Sequence, residues 1–162
     1  MQYHMRRADR AVTDKSKMAD IIKMGKYAAV ALCNNDEPYI VTLSYGFDEA
    51  TDTFYFHGAA KGQKIDFIKK NPKACLTIVE DLGYQYDHCT HAYRSVICRG
   101  NMVFVVRPEE RTHGMTVMIR QLEPHPETQL AKIRESDALW RQTQMFKLIV
   151  ESITCKERPK IA

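Results

Sequence analysis

The sequence lacks the features of a membrane protein or an exported protein. No apolar run approaches the roughly 18 residues that a helix needs to cross a bilayer. The first residues, MQYHMRRADRAVTD, have neither an apolar core nor a small-residue cleavage site, so we expect no signal peptide. We therefore predict a cytoplasmic protein that does not bind a membrane. Its 162 residues suit a single domain over residues 1–162 with one core.

Cysteines are few and irregularly spaced, at positions 33, 75, 89, 98 and 155. An odd number without a CxxC pair excludes a disulfide scaffold and indicates free, mostly buried thiols in a reducing compartment. The segment DHCTH, Asp87 to His91, offers side chains of the types that bind metals, but no second paired element accompanies it. We interpret this segment as a polar loop and predict no metal site.

A strong excess of charge of one sign is also missing. The net charge is only +4, and the lysines and arginines are spread along the chain. No basic arm and no RNA-binding aromatic motif is present, so we expect no nucleic-acid partner. A small positive balance does suit a protein that binds an anionic small molecule. Neither a Ser-His-Asp order nor a carboxylate pair can be defended from the spacing.

The hydrophobic pattern predicts about six strands with helices between them and no βαβ rhythm. This pattern favours an antiparallel, mainly β fold that closes as a barrel. Gly100 is expected to mark a bulge, and Pro108 is expected near the first position of a helix. The predicted strands cover 27–33, 38–48, 54–58, 73–81, 92–106 and 145–156, and the predicted helices begin near residues 14, 63, 108 and 128, the last running to 144.

The segment YFHGAAKGQK, Tyr55 to Lys64, contains the most informative local pattern. A strand ends in small residues, and an amphipathic helix follows. Such a helix start presents free backbone N–H groups that favour an anion. Lys61 and Lys64 stand at this end of the helix, where cations are unfavourable to the helix itself. The conflict points to a phosphate site, and a solvated lysine face is the alternative. Trp140, the single tryptophan, is either a ring that stacks on a ligand or a buried or interface anchor.

Several blocks of the sequence carry a family resemblance: PYIVTLSYGFD, FYFHGAAKGQKIDFIKKNPKACLTI, YRSVICRGNMVFV and KLIVESITCKERP. The chain resembles the pyridoxamine-phosphate-oxidase-like flavin-binding split barrels, in the branch related to nitroimidazole-resistance proteins. The block FHGAAKGQK is the most specific part of the match. The resemblance covers nearly the whole chain and implies a six-stranded antiparallel split barrel that forms a homodimer, with FMN in a cleft at the dimer interface.

The resemblance also implies a set of flavin contacts, which we state by position. Thr42, Leu43, Ser44 and Tyr45 would run along the isoalloxazine ring, and Phe56, His57, Gly58 and Ala59 would lie beside the ring and the ribityl chain. Lys61, Gly62 and Lys64 would hold the phosphate, and Arg94, Ser95 and Val96 would supply polar contacts, across the dimer. FAD is an open alternative to FMN, because both cofactors carry the same phosphate next to ribityl.

The activity implied by the resemblance is that of an FMN-dependent oxidoreductase that reduces nitro compounds or another small acceptor. His57 would be the catalytic side chain, with a hydrogen-bonding role in the dimer interface as its alternative. Two other functions stay open: a flavin-binding protein for storage or sensing without turnover, and a haem-binding split barrel with a histidine as axial ligand. The C-terminal CKERPKIA lacks the arginine-rich signature of true pyridoxamine-phosphate oxidases, which argues against vitamin B6 oxidation.

Overall fold

The computed structural model describes residues 5–134 and 143–161. A short 3-10 turn, Ala8–Arg10, precedes the first strand. The strands are β1 (Ala11–Val12), β2 (Ala28–Asn34), β3 (Glu37–Leu43), β4 (Gly46–Asp48), β5 (Thr53–Ala59), β6 (Lys73–Gln85), β7 (Thr90–Phe104) and β8 (Thr143–Arg158). The helices are α1 (Lys15–Met24), α2 (Gln63–Lys70), α3 (Pro108–Leu122) and α4 (Pro126–Arg134). None of the described helices is long and apolar enough to cross a membrane.

One antiparallel sheet with the strand order β3-β2-β6-β7-β8-β5-β4 forms the body of the protein, and β1 pairs with β8. The path is open between β3 and β4, which gives a split barrel. The predicted fold class is therefore confirmed. The structure has eight strands instead of six, because β1 and β4 are only two and three residues long. Such short strands are too brief to leave a periodic signal in the sequence.

The predicted strand over residues 38–48 is wrong as a single element. It divides into β3, which pairs with β2, and β4, which pairs with β5 on the other edge of the sheet. Tyr45 lies at the break and is fully buried, with its hydroxyl donating to the carbonyl oxygens of Ile22 and Gly25. These hydrogen bonds hold Tyr45 against the end of α1, at the point where the chain leaves β3 and enters β4 on the other edge of the sheet.

The bulge predicted at Gly100 is confirmed by a shift in the register between β7 and β8 at Arg99 and Gly100. A Cβ atom at Gly100 would lie 1.9 Å from the carbonyl oxygen of Ile149. Only glycine therefore allows the two backbones to approach this closely. The bulge bends β8 and lets a 16-residue strand serve both halves of the sheet.

The predicted helix starts agree with the structure, and one predicted helix end does not. Asp14 caps α1 by accepting from the N–H of Lys17 at 3.1 Å, and Pro108 is the first residue of α3. The prediction of a helix from 128 to 144 is wrong at its end, since residues 143 and 144 belong to β8. In β8, Thr143 pairs with Ala59, so tertiary pairing overrides the local helical pattern there. Residues 135–142, which include Trp140, lie outside the described residues.

Strand β5 separates two hydrophobic clusters. Phe54 and Phe56 point into the larger cluster inside the barrel, where Phe56 stacks on Phe146 with ring centroids 5.7 Å apart. Tyr55 points the other way, into a smaller cluster formed with α3 and α4. Since side chains alternate along a strand, His57 lies on the α3–α4 side and Gly58 on the barrel side. The two faces of β5 can therefore hold different ligand groups.

Replacing Tyr45 with phenylalanine will lower the free energy of unfolding by about 1–2 kcal/mol, because two buried carbonyl oxygens lose their hydrogen-bond donor. Urea denaturation of the purified variant measures the change. Tyr86→Phe is the matched control, since Tyr86 is 81% exposed and should tolerate the loss of its hydroxyl. Equal losses in the two variants would show that the Tyr45 hydroxyl does not stabilise the turn between β3 and β4.

Candidate functional site

The end of β5 and the start of α2 form a turn suited to an anion. Gly62 precedes α2 with a φ of 116°, a conformation that favours glycine. Its carbonyl oxygen accepts from the N–H groups of Ile65 and Asp66, which closes the first turn of the helix. Gly62 has no side chain that could accept from the first amides of α2. Those amides, at the positive end of the helix, are positioned to donate to a ligand.

Lys64 folds back over the end of β5. A Cβ atom added at Gly58 would lie 2.8 Å from Cε and 3.2 Å from Nζ of Lys64, so the absence of a side chain at Gly58 makes room for the ammonium group. Lys64 is half-buried, whereas Lys61 is exposed in the turn. Ala59 and Ala60 are exposed small residues beside them. The turn thus combines two cations, outward-facing amides and a backbone that a ligand can approach closely.

The structure divides the residues predicted to contact the flavin by their burial. Tyr45, Phe56 and Val96 have their side chains in the barrel core, and Leu43 packs against it, so each could offer a ligand mainly its backbone. The exposed members are Thr42, Ser44, His57, Ala59, Lys61 and Gly62, and the half-buried members are Gly58, Lys64, Arg94 and Ser95. The turn residues lie together at one end of β5. The other members lie in β3, in the link between β3 and β4, in β5 and in β7.

Arg94 already has a partner on the neighbouring strand. Its guanidinium forms an ion pair with the carboxylate of Glu80, which lies directly opposite it across β6 and β7. Both side chains are largely shielded from solvent, with 23% and 17% exposed. A ligand at this position would meet only the guanidinium donors that Glu80 does not use. This pair could not be predicted from the sequence, because it depends on the register between the two strands.

An uncharged row of side chains crosses the outer face of the sheet. The strand registers place Thr42, Ala29, Thr77, Ile97 and Thr154 side by side across β3, β2, β6, β7 and β8. Neighbouring positions on this face include Ile40, which is 68% exposed, and Val79, which is 54% exposed. Ser95 pairs with Val79 on the same face. Two predicted flavin contacts, Thr42 and Ser95, therefore lie on this face, where Ser95 is also paired with Lys156.

A cleft of about 240 Å³ lies on the other side of β5, between the strand end and helices α3 and α4. It is lined by His57, Met115, Met118, Ile119, Leu122, Glu123, Gln129, Ile133 and Thr143. Desolvation lowers the pKa of His57 below its usual 6.5, although the residue as a whole is still exposed at the cleft. At neutral pH its ring is therefore uncharged and offers one hydrogen-bond donor and one acceptor.

Met115 and Met118 are both buried in the smaller cluster, and the sequence alone does not identify the cleft. The same residues also form one wall of the cleft. The signal was present in the apolar spacing 115, 118, 119 and 122, which places four side chains on one face of a helix. The opposing wall could not be predicted, because it depends on how α3 packs against β5.

A polar contact also links α3 to the sheet on the side of β5 that carries Tyr55. Nε2 of His113 lies 2.8 Å from Oδ2 of Asp48, and the His113 ring contacts Tyr55 edge-on at 5.7 Å. Burial alone would raise the pKa of Asp48, but hydrogen bonds from His113, Ala50 and Thr51 outweigh it and lower the pKa below 3.8. The pair connects the end of β4 to α3, the helix that forms a wall of the cleft.

Replacing Asp48 with asparagine will lower the free energy of unfolding at pH 6.5 by about 1 kcal/mol, because the carboxylate hydrogen bonds are lost. The lowered pKa means that this stabilisation is complete above the unfolded-state value of 3.8 and is lost as the pH falls through the folded-state value. The difference in the free energy of unfolding between parent and variant, measured by denaturant titration, should therefore become smaller below about pH 4. Asp36→Asn, in the exposed turn after β2, is the control. A stability difference that becomes larger in acid would contradict a stabilising role for the ionised Asp48.

The loop over residues 86–89 joins β6 to β7 at the far end of a long hairpin. Tyr84 contacts both Tyr86 and His91 edge-on, with ring centroids 5.6 and 5.0 Å apart. Among residues 5–134 and 143–161, no group of three or more histidine, cysteine or acidic side chains could hold a metal ion. Asp87 and Cys89 both have positive φ angles, as is common for a tight polar turn.

The fold and the turn between β5 and α2 define a split barrel with a cationic turn at the end of β5, and comparison with known proteins gives the family. The model of the pyridoxamine 5'-phosphate oxidase family matches residues 14–157. The chain belongs to this family. The resemblance drawn from the sequence blocks is thereby confirmed. The match includes every strand from β2 to β7 and nearly all of β8.

Individual relatives are more distant. A protein of uncharacterized function from Rhizobium meliloti (strain 1021) is 33% identical over 69 residues, which are 43% of this chain and 44% of that protein. The chain thus aligns with less than half the length of that relative. A crystal structure from Bacteroides thetaiotaomicron VPI-5482, provisionally assigned to 5-nitroimidazole antibiotic resistance, is 24% identical with a TM-score of 0.75 over 96% of this chain and 95% of that one.

A third comparison is with a FAD and haem binding protein from Mycobacterium smegmatis. Its structure is 15% identical to this chain and covers 94% of this chain and 77% of its own, with a TM-score of 0.76. At these identities the likeness establishes a shared fold. The fold similarity extends over nearly the whole chain, including both the barrel and the helices after β7.

Proposed function

We propose that this protein binds a flavin, with FMN as the first candidate, and uses it to reduce a small acceptor such as a nitro compound. The observation that carries the proposal is the turn between β5 and α2. There the half-buried Lys64 lies beside Gly58, and the exposed Lys61 and the first amides of α2 belong to the same turn. Lysines at a helix start oppose the helix dipole, and a bound phosphate removes that conflict.

The residues present fit the phosphate end of a flavin. The phosphate would accept from the first amides of α2 and from Nζ of Lys64, and Lys61 would lie at its solvent side. The small residues Ala59 and Ala60 would let the ribityl chain pass close to the backbone. The family membership and the flavin named for the Mycobacterium smegmatis neighbour support this choice. A bound flavin would supply the redox chemistry, and the protein would supply binding and orientation.

The same site accepts FMN and FAD equally well at the phosphate next to ribityl. FMN remains the first candidate because its single phosphate matches the one cationic turn described here. The nitro compound as acceptor is supported by the provisional assignment of the Bacteroides thetaiotaomicron neighbour. The alternatives are a flavin-binding protein without turnover and a haem-binding split barrel, and the haem named for the Mycobacterium smegmatis neighbour supports testing the latter.

We further propose that the protein works as a homodimer whose interface includes the uncharged row on the outer face of the sheet. Five uncharged side chains in register, three of them threonines, are flanked by exposed Ile40 and Val79, and together they form a surface of the kind that a second copy can cover. Thr42 and Ser95 on this face would then lie close to the partner. A flavin at the interface would bury more of its ring than one barrel surface can.

The proposal is tested on the purified full-length protein. Adding the protein to a solution of FMN should quench the flavin fluorescence in a saturable titration. With reduced nicotinamide and a nitroaromatic acceptor, the protein should give turnover that requires the flavin. Bound flavin that never turns over would favour storage or sensing. A Soret band on addition of haem without any flavin binding would favour the haem alternative. Light scattering of the flavin-loaded protein should give the mass of a dimer, and a monomer with flavin still bound would contradict the interface.

A further inference from the structure

The cleft between β5 and the α3–α4 pair has the chemistry of a second, separate binding site. Its walls are Met115, Met118, Ile119 and Leu122 on α3 and Ile133 on α4. The polar residues that line it are few: His57, Glu123, Gln129 and Thr143. An apolar pocket with a small number of converging polar groups is the usual form of a small-molecule site.

The charged side chain in the lining of the cleft disfavours anions. Among the described lining residues, Glu123 is the one charged side chain, and it is acidic. Arg111 lies next to the cleft, where its Nη2 donates to the carbonyl oxygen of Thr143 at 2.9 Å. The cationic turn lies on the opposite face of β5, one residue further along, where Gly58 makes room for Lys64. A phosphate ester in the cleft would lose its hydration beside the carboxylate of Glu123, which would repel it.

The shape and the donors limit the ligand further. The volume of about 240 Å³ is below the range of drug-sized pockets and suits a single-ring molecule. Methionine side chains adapt to flat aromatic surfaces and make favourable contacts with them. An uncharged imidazole at His57 can donate one hydrogen bond to a neutral polar group on such a ring.

We infer that this cleft binds a small, uncharged aromatic molecule carrying one hydrogen-bonding group, held by the methionines of α3 and by His57. Its role as the acceptor pocket rests on the proposed flavin-dependent function, whereas its role as a binding site does not. Phosphorylated substrates, such as those in the name of the family, would be excluded from it.

The binding test uses two nitroaromatic probes of similar size and different charge, 4-nitrobenzyl alcohol and 4-nitrobenzoate. Equilibrium dialysis with the flavin-free protein and with the FMN-saturated protein measures the affinity for each. The neutral probe should bind at least about tenfold more tightly, because the carboxylate must be desolvated near Glu123. Equal affinities for the two probes, or binding that does not saturate, would overturn the inference.

Variants at two cleft positions, Leu122 and Glu123, locate the site. Leu122 is 42% exposed at the end of α3, so Leu122→Trp can fill the cleft without disturbing the core and should weaken the neutral probe about fivefold or more. Met24→Trp, on α1 and 59% exposed, is the matched control and should bind as the parent does. Glu123→Lys should improve binding of 4-nitrobenzoate several-fold, with Glu123→Gln between it and the parent. No effect of Leu122→Trp or of Glu123→Lys would place the probe elsewhere and refute the site.

The outcomes separate this inference from the proposed function. Selective binding of the neutral probe by a protein that does not take up FMN would support the cleft and contradict the flavin proposal. Tight FMN binding without selective probe binding would support the flavin proposal and overturn the cleft.

Discussion

Replacing Lys64 with alanine will weaken FMN binding by about ten- to a hundredfold. A charge-assisted hydrogen bond to phosphate is worth roughly 1.5–3 kcal/mol, which corresponds to this range of affinity. The prediction follows from the position of Lys64, whose Nζ would lie 3.2 Å from a Cβ atom at Gly58 and therefore at the end of β5. Fluorescence titration of FMN with the purified variant measures the loss.

Lys69→Ala and Lys70→Ala are the matched controls. Both residues are exposed and lie in the last turn of α2, away from its positive end. Each removes the same unit of charge from the same helix, so a general electrostatic effect would weaken FMN binding equally in all three variants. Equal affinities across the three would refute the placement of the phosphate. A selective loss in Lys64→Ala would support it, and a weaker selective loss is expected for Lys61→Ala, since Lys61 is exposed to solvent.

The phosphate turn could be found in the sequence because it depends on local signals. Gly58, Gly62 and Lys64 lie within seven consecutive residues, and small residues followed by lysines at a helix start have a direct physical meaning. The structure adds one contact that the spacing did not show, the packing of the Lys64 side chain over Gly58. Local sequence therefore predicted a candidate anion turn whose strand end and helix start the structure shows, but not the position of the lysine side chain in it.

The parts of the fold that depend on long-range partners were predicted less well. At the break between β3 and β4, the Tyr45 hydroxyl donates to carbonyl groups at the end of α1, which are 23 and 20 residues away. The start of β8 at Thr143 depends on pairing with Ala59. Neither interaction leaves a periodic trace in the local sequence, and the apolar pattern around each site suits more than one secondary structure.

The uncharged row on the outer face of the sheet also could not be predicted from the local sequence. Ala29, Thr77 and Ile97 are unremarkable within their own strands, and only the registers of β2, β6 and β7 place them side by side. Similarly, the ion pair between Arg94 and Glu80 joins residues that the sequence separates by a whole hairpin. A binding surface assembled across strands becomes visible only when the pairing is known.

Replacing His57 with alanine will reduce the rate per bound flavin by about 10²–10⁴-fold if its ring acts as a general acid toward the acceptor. The affinity for FMN should stay within a few-fold of the parent. This separation is expected because His57 points into the α3–α4 cleft, whereas Gly58 and Lys64 lie on the other face of β5. Bound flavin and turnover are measured on the same sample, so that the rate is expressed per flavin.

The pH dependence gives a second readout of the same role. Desolvation lowers the pKa of His57 below the usual 6.5, so its ring is mostly neutral at pH 6.5 and above. A rate that depends on the protonated ring should fall by about tenfold per pH unit above that lowered pKa and level off below it, and His57→Ala should remove this dependence. His125→Ala, in the exposed segment between α3 and α4, should retain both the rate and its pH profile. If His57→Ala instead loses flavin and dimer together at an unchanged rate per flavin, the histidine serves the interface and not the reaction.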